Sequence, residues 1–138
     1  MSQLQNYGMT VQIELWGEKR LGRFTSKTFE MSYIQRGLCT IFSQKEISGL
    51  EALLEMIEDL ENGVGGDMEE YDNFGPGIFW DDGTFFNFAH IAPDGWTYFY
   101  NPNEFPEPRP KVPTNHVKEM IVEVIQFMQA NNIKSLLS

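Results

Sequence analysis

Few side chains in this sequence could act directly in catalysis. The chain holds one cysteine, Cys39, and two histidines, His90 and His116. Cys39 stands in the apolar run 38–42, where a cysteine is more often a small buried side chain than a reactive thiolate. Neither histidine has a glycine-flanked nucleophile, an HExxH pair or another catalytic signature nearby. We therefore predict no catalytic residue and no enzymatic activity, with a Ser-His-Asp or Cys-His site as the open alternative.

Carboxylates are the most abundant groups that could bind a metal. Segment 67–72 offers hard oxygen ligands for Ca²⁺, but it lacks the alternating register, the central Gly and the trailing Glu of a calcium loop. The pair Asp81 and Asp82 could act as acid and base, although a tight turn explains it more simply. A single cysteine also excludes an internal disulfide and a cysteine-based zinc site. We predict no metal and no cofactor.

The acids are segregated along the chain. The 138 residues include 20 Asp and Glu against 10 Lys and Arg, for a net charge of −10. Residues 46–107 hold fifteen acids and no Lys or Arg, whereas residues 1–45 hold six bases and three acids. This balance argues against direct nucleic-acid binding, which needs bases on phosphates. A field of one sign raises encounter rates with an oppositely charged partner by roughly 10 to 10³. The charge layout predicts a basic protein partner, and a solvated face that confers solubility is the simpler alternative.

Aromatic residues within the acidic segment are candidate anchors for that partner. Interface hot spots are enriched in Trp, Tyr and Arg, while charges at the rim steer association. The candidate anchors are Tyr71, Trp80, Trp96, Tyr98 and Tyr100. Alternation along a strand sends about half of its side chains into the core instead. The predicted partner-binding residues are Asp67, Glu69, Glu70, Tyr71, Asp72, Trp80, Asp81 and Asp82. The second choice is a set of helix acids, Glu51, Glu55 and Glu58.

Two groups of strands are predicted to position these residues. Residues 10–16 alternate between apolar and polar side chains, as a half-buried strand does. Together with residues 21–24, 27–33 and 38–42 they predict an N-terminal antiparallel meander, because the connections are short. Asp82-Gly83 and Pro93-Asp94-Gly95 predict two turns in a second, aromatic meander over residues 78–100. Five prolines between Asn101 and Pro113 predict an extended linker.

Two amphipathic segments predict the main helices. Apolar residues recur every three or four positions from Gly49 to Glu61, after a capping-box spacing from Ser48 to Glu51 and before an Asn62-Gly63 stop. The same periodicity covers Asn115 to Gln129, with Thr114 or Asn115 as the cap. The residues predicted to face the sheet are Leu50, Leu53, Leu54, Ile57, Val117, Ile121, Val124, Ile125 and Met128. We predict one α+β domain over residues 1–138, with an antiparallel sheet of two meanders and two main helices packed on it.

The composition predicts a cytoplasmic protein. Hydrophobic residues make up 41% of the chain and aromatic residues 14%, which is enough to build one core. A Cys-poor chain fits a reducing compartment. The first residues lack the basic start and apolar run of a secretory signal, and no apolar run reaches the length of a membrane span. We expect cytoplasmic localisation and no membrane contact, and the sequence leaves the oligomeric state open.

The layout resembles the small acidic cytoplasmic immunity proteins of bacterial toxin–immunity systems, including contact-dependent growth inhibition and polymorphic toxin systems. The resemblance lies in size, charge, α+β order and the aromatic segments 77–83 and 94–100. It implies a non-enzymatic inhibitor that covers the active site of a cognate toxin, frequently a nuclease with a basic cleft. Two other classes stay open. One is an acidic interaction module or nucleic-acid mimic that binds another basic protein, and the other is a ligand-binding or enzymatic domain that uses the aromatic meander as a pocket.

Overall fold

A computed structural model describes residues 2–27, 30–63, 83–101 and 109–137, together with the backbone of 78–80. The helices are α1 (Gln3–Asn6), α2 (Tyr33–Phe42), α3 (Ile47–Glu61) and α4 (Thr114–Ala130). The strands are β1 (Met9–Trp16), β2 (Lys19–Ser26), β3 (Ile78–Trp80), β4 (Gly83–Phe86), β5 (Ala89–Ile91), β6 (Trp96–Phe99), β7 (Lys111–Pro113) and β8 (Ser135–Leu137). The chain is α+β, as the sequence predicts.

The first sheet has three strands in the order β1-β2-β8. The strands β1 and β2 form an antiparallel hairpin that runs from the pair Met9 and Ser26 to the pair Trp16 and Lys19. Gly17 in its turn has φ +66°, which glycine adopts without strain. The strand β8 pairs with β2 in parallel and was absent from the sequence prediction. This parallel pair is possible because most of the chain lies between its two strands, which leaves room for a crossover.

The second sheet is antiparallel throughout, in the order β3-β4-β5-β6-β7. Trp80 pairs with Gly83, so the predicted hairpin between the two aromatic runs is confirmed. Gly83 is itself the first residue of β4 and not the central turn residue that the sequence predicts; the predicted position of the turn is therefore wrong by one residue. The turn between β5 and β6 is also confirmed, with Gly95 at φ +89°. A third turn, at residues 87–88, was missed. There Phe88 has φ +69°, a conformation uncommon outside glycine. Asn87 is the one residue of this pair whose type favours a turn.

The predicted proline linker is wrong at its C-terminal end. Residues Lys111–Pro113 form β7, which pairs with β6 so that Pro113 lies opposite Trp96. The backbone N–H of Phe99 donates to the carbonyl of Pro110 at 2.8 Å. Proline is tolerated here because β7 is an edge strand whose outer side has no neighbouring strand among the described residues.

The strand predicted at residues 38–42 is also wrong, because this run lies in α2. The helix begins with a capping box in which Ser32 Oγ accepts from the Gln35 N–H and Gln35 Oε1 accepts from the Ser32 N–H. Its apolar residues Leu38, Ile41 and Phe42 form one buried helical face. A short apolar run fits either element. The strand predicted at 27–33 likewise has no counterpart among the described residues, since Lys27 follows β2 and Tyr33 begins α2.

Both predicted main helices are present, with different starts. The N-cap of α3 is Glu46, without a side-chain hydrogen bond, so the expected Ser48–Glu51 capping box does not form. The N-cap of α4 is Pro113, not Thr114 or Asn115. The predicted stop of α3 is confirmed, since Asn62 is its C-cap and Gly63 follows at φ +72°.

The core lies between the sheets and the helices. The apolar faces of α3 and α4 are buried as predicted, at Leu50, Leu53, Ile57, Val117, Ile121, Val124, Ile125 and Met128. Leu54 was predicted to face the core but is only half-buried. Lys45 is buried as well, with Nζ 5.0 Å from the centre of the Phe86 ring. Desolvation lowers the pKa of Lys45 to about 8.

Ile121 is buried and Leu54 is only half-buried. A lysine should therefore destabilise the fold far more at Ile121 than at Leu54. Ile121→Lys should prevent folding, because an unpaired buried charge costs several kcal/mol of a total stability of about 5 to 15 kcal/mol. Leu54→Lys should leave a folded protein whose melting temperature changes by only a few degrees, because the ammonium group can reach water. Circular dichroism melts of both variants test this, and equal destabilisation would contradict the burial assigned to Leu54.

Candidate functional site

Most of the predicted partner-binding site lies outside the described residues. This applies to Asp67, Glu69, Glu70, Tyr71, Asp72, Asp81 and Asp82. Trp80 ends β3 and pairs with Gly83 through its backbone, and its side chain is outside the described part as well. The predicted partner-binding residues therefore stay a prediction. The surface of the described residues offers two further candidate sites.

The second-choice acids share one face of α3. Glu51, Glu55 and Glu58 are all exposed, and their spacing of four and three residues places them on one side of a helix. The buried residues of α3 lie on its other side. Because no Lys or Arg occurs in α3, this outer face is uniformly acidic.

A groove of 620 Å³ lies between α3 and α4 next to this face. Its apolar lining includes the half-buried Leu54 of α3 and Val122 of α4, and Val122 is 42% exposed. Exposed apolar surface inside a polar rim is typical of a binding site for another molecule. The remaining lining residues are Gln3, Glu58, Asn115, Lys118, Glu119, Glu123 and Gln126.

The rim of the groove is acidic. Three carboxylates line it, Glu58, Glu119 and Glu123, against the single base Lys118. The ammonium group of Lys118 lies 2.7 Å from a carboxylate oxygen of Glu61, so its charge is already compensated within the chain. The field in the groove is therefore negative, and it attracts cationic groups.

Two of the groove carboxylates also fix the N-terminal segment on α4. Glu123 accepts hydrogen bonds from the backbone N–H groups of Gln3 and Leu4, at 3.0 and 3.3 Å, and from the Ser2 hydroxyl. Glu119 accepts from the Gln3 side-chain amide at 2.6 Å. These bonds hold one wall of the groove in place. Glu58 and Glu119 are both exposed, and Glu119 is already hydrogen-bonded to Gln3.

The outer side of the second sheet carries a row of aromatic residues. Phe85, His90 and Tyr98 are cross-strand neighbours, so they share one face of the sheet. The rings of Phe85 and His90 stack with centroids 4.1 Å apart. All three are half-buried, and Trp96 on the same strand as Tyr98 is 36% exposed. We call Phe85, His90, Trp96 and Tyr98 the aromatic face.

Charged groups border the aromatic face. The Tyr98 hydroxyl donates to Asp94 at 2.6 Å and thereby lowers the pKa of that carboxyl. Lys111 Nζ lies 4.2 Å from the centre of the Trp96 ring, a cation–π contact. Of the five candidate anchors, Trp96 and Tyr98 thus lie on this face. Tyr100 is half-buried, and its hydroxyl donates to the Phe86 carbonyl.

The three side chains considered for catalysis, Cys39, His90 and His116, each contact a neighbouring side chain. Burial raises the pKa of the Cys39 thiol to about 11, and the sulfur lies 3.8 Å from that of Met31. His116 is in the first turn of α4, as predicted. Its Nδ1 shares a hydrogen bond of 2.7 Å with the Tyr7 hydroxyl. Burial, and then the negative charge of Glu119, raise the pKa of Tyr7.

Within the described residues, no three His, Cys, Asp or Glu side chains are close enough to hold a metal ion. The acids of segment 67–72 lie outside that part. No helix in the described part combines the length and the apolar character needed to cross a bilayer.

The groove was missed by the sequence analysis. Its walls come from α1, α3 and α4, and which acid meets which apolar residue depends on how these helices pack. One signal was present in the sequence, since Leu54 and Glu58 are four residues apart on α3 and Val122 interrupts the polar side of α4.

Cys39 should react slowly in the folded protein. With a pKa of about 11, its thiolate fraction at pH 7.5 is roughly 100-fold below that of an unfolded cysteine. Labelling by iodoacetamide, followed by intact-mass spectrometry, should therefore be roughly 100-fold slower in buffer than in 8 M urea, after allowance for the effect of urea on a free thiol. Rapid labelling of the folded chain would show a reactive thiol and would favour Cys39 as a nucleophile.

Comparison with known proteins adds no relative. No protein-family model matches the chain, and neither a curated protein nor a solved structure matches it. The described surfaces and the charge layout of the sequence are therefore the features that indicate a function.

Proposed function

We propose that this chain is an immunity protein that binds and neutralises a cognate bacterial toxin by occluding its active site. The toxin would be basic and of the nuclease type, and the complex would form in the cytoplasm. The resemblance to small acidic immunity proteins motivates the proposal, together with the fifteen acids and the absence of Lys and Arg in residues 46–107.

The observation that carries the proposal is the acidic groove between α3 and α4. It combines an apolar surface at Leu54 and Val122 with an acidic rim at Glu58. Interfaces in general have an apolar centre and a polar rim. A loop that presents Lys or Arg beside apolar side chains complements this arrangement, and such loops line the substrate clefts of enzymes that act on nucleic acids.

The acidic face of α3 extends this surface. Glu51 and Glu55 continue the negative field beyond the groove and are exposed. Charges at the rim of an interface act mainly on the association rate, because they guide the partner before contact is made. An immunity protein needs fast association, since free toxin damages the cell until it is bound.

A nucleic-acid mimic is supported less well. A mimic needs acids in rows that imitate the phosphates of both strands of a duplex. The described acids of this surface are Glu51, Glu55 and Glu58 on one helix, and Glu119 and Glu123 beside the apolar groove. A surface that combines acids with apolar side chains fits a protein cleft better than it copies a phosphate backbone.

Charge reversal at the groove should slow association. Glu58→Lys should reduce the on-rate for the purified, catalytically inactivated toxin domain by roughly 3- to 10-fold at 0.1 M salt, with a smaller change in the off-rate. The difference should shrink at 1 M salt, where the Debye length falls from about 10 Å to about 3 Å. Surface plasmon resonance measures both rates. The toxin domain used is one encoded in a neighbouring reading frame.

Glu18→Lys is the matched control. Glu18 is exposed and its reversal changes the net charge by the same amount, but it lies in the β1–β2 turn outside the acidic segment. If the two variants lower the on-rate equally, net charge and not the groove governs association. A combined replacement of Asp67, Glu69, Glu70 and Asp72 by Asn or Gln then tests the acidic loop predicted from the sequence.

Protection should be stoichiometric and independent of the histidines and the cysteine. Occlusion needs a complementary surface and no proton transfer, so His90→Asn, His116→Gln and Cys39→Ala should each protect as well as the unmodified chain. A catalytic histidine typically contributes about 10² to 10⁴ in rate. Titration of active toxin should end at a fixed molar ratio. Protection far below one equivalent, abolished by one of these substitutions in a folded variant, would show catalysis instead.

A further inference from the structure

Strand β1 is a long sheet edge that the described residues leave open. It spans eight residues and is the first strand in the order β1-β2-β8. On its outer side no strand pairs with it among the described residues. Natural monomers usually blunt such an edge with proline, lysine, a bulge or a short strand. The sequence Met9–Trp16 contains no proline and no lysine, and its ladder with β2 runs without a bulge.

The other edges are closed or short. On the far side of the first sheet, Glu46 bridges to Ser135 and the Leu136 N–H donates to the Lys45 carbonyl at 2.9 Å. The second sheet ends in β3 and β7, each three residues long, and β7 carries both Lys111 and Pro113. Within the described chain, β1 is the long edge without such protection.

The backbone groups of β1 that face its outer edge belong to its apolar residues. In a hairpin closed by a two-residue turn, the pair Trp16 and Lys19 is hydrogen-bonded, and bonded pairs then recur at every second residue. The bond from the Lys27 N–H to the Gly8 carbonyl at 2.8 Å fits this alternation. The N–H and C=O groups of Val11, Ile13 and Leu15 therefore point away from β2, to the open edge.

The same strand concentrates the exposed apolar side chains. Six large hydrophobic residues are exposed in the described part, and three of them, Ile13, Leu15 and Trp16, lie on β1. Leu15 is 67% exposed, the highest value of the six. Free backbone groups and exposed apolar side chains thus coincide at one edge, and a further strand would cover both.

Charge favours a second copy of this chain as that strand. The only charged residue on β1 is Glu14, whose carboxylate pairs with the Arg23 guanidinium. The hairpin as a whole carries three bases, Lys19, Arg20 and Arg23, against two acids, for a charge of +1 in a chain of −10. Two acidic molecules therefore meet with least repulsion at their hairpins, whereas a basic toxin is not attracted to this edge.

We propose that β1 pairs antiparallel with β1 of a second copy, about a two-fold axis at Ile13. This register opposes Ile13 with the partner's Ile13 and Val11 with the partner's Leu15. It also sets Glu14 opposite the partner's Gln12, so no like charges face each other. The interface is isologous, and it joins the two three-stranded sheets into one of six strands.

A lipid surface is the other candidate for an exposed Leu15 and Trp16, but it fits less well. Lipid tails cannot accept or donate the hydrogen bonds that the open edge offers. The net charge of −10 also repels the anionic headgroups that recruit basic segments. Dimerisation needs only a second protein molecule, whereas membrane binding needs vesicles, so an experiment can distinguish them.

One edge contact is smaller than a standard protein interface, so the dimer should form in a concentration-dependent equilibrium. Sedimentation velocity of the full chain, from about 5 µM to about 500 µM, measures this equilibrium. We expect dimer to accumulate over this range. Ile13→Lys should keep the chain monomeric. Val122→Lys is the matched control, since Val122 is 42% exposed and Ile13 is 43% exposed, and it should dimerise as the unmodified chain does. Circular dichroism confirms that both variants fold.

Cross-linking tests the register without disrupting the interface. In a Cys39→Ala background, Ile13→Cys should form an intermolecular disulfide under mild oxidation, because bonded antiparallel residues have Cα atoms about 5.5 Å apart, within the roughly 4.4 to 6.8 Å that a disulfide spans. Val122→Cys in the same background should not cross-link at the same rate. A chain that stays monomeric throughout the range, a dimer that survives Ile13→Lys, or equal cross-linking of both variants would overturn the proposal. A monomeric chain that sediments with phosphatidylcholine and phosphatidylglycerol vesicles would assign the patch to a membrane instead.

Discussion

The close contact of α2 with the second sheet is the constraint on which the rest of the fold depends. Helix α2 packs on β2 of the first sheet and on β4, β5 and β6 of the second, so it links the two sheets. The contact is made at Gly37, where a Cβ atom would lie 2.3 Å from Cδ1 of the Phe99 ring and 2.7 Å from the Phe88 carbonyl. Such distances leave no room for a side chain. The absence of a side chain at Gly37 therefore sets how closely α2 approaches the second sheet. Helices α3 and α4 pack over the rest of the core.

Sequence reasoning predicted the elements whose signal is local. The periodicity of α3 and α4, the alternation of β1, the hairpin of β3 and β4 and the turn at Gly95 depend on neighbouring residues, and all of them are present. The errors fall where tertiary packing decides. Residues 38–42 suit a strand as well as a helix, and β7 and β8 are three-residue strands that exist because a partner strand is available. The acidic groove could not be predicted at all, because its walls come from three helices distant in sequence. Most of the predicted site lies outside the described residues, so it stays a prediction.

Charge segregation connects the two proposals. The acids of α3 and of the groove form one surface, and the β1–β2 hairpin forms a weakly basic surface of its own. The proposed basic toxin would be attracted to the first, and a second copy of this acidic chain would meet least repulsion at the second. Because the surfaces are made by different elements, a dimer paired through β1 keeps both of its grooves. Failure of either proposal leaves the other intact.

Under the proposed function, the acidic surface of α3 and the groove covers a basic toxin. Carboxyl footprinting detects such cover, by carbodiimide coupling of glycinamide to exposed acids. The products are read out by peptide mass spectrometry with and without an inactivated toxin domain from a neighbouring reading frame. We expect Glu51, Glu55 and Glu58 to lose most of their reactivity in the complex, while Glu18 in the hairpin turn keeps it. A complex in which the α3 acids react as they do in the free chain would exclude this surface as the toxin interface.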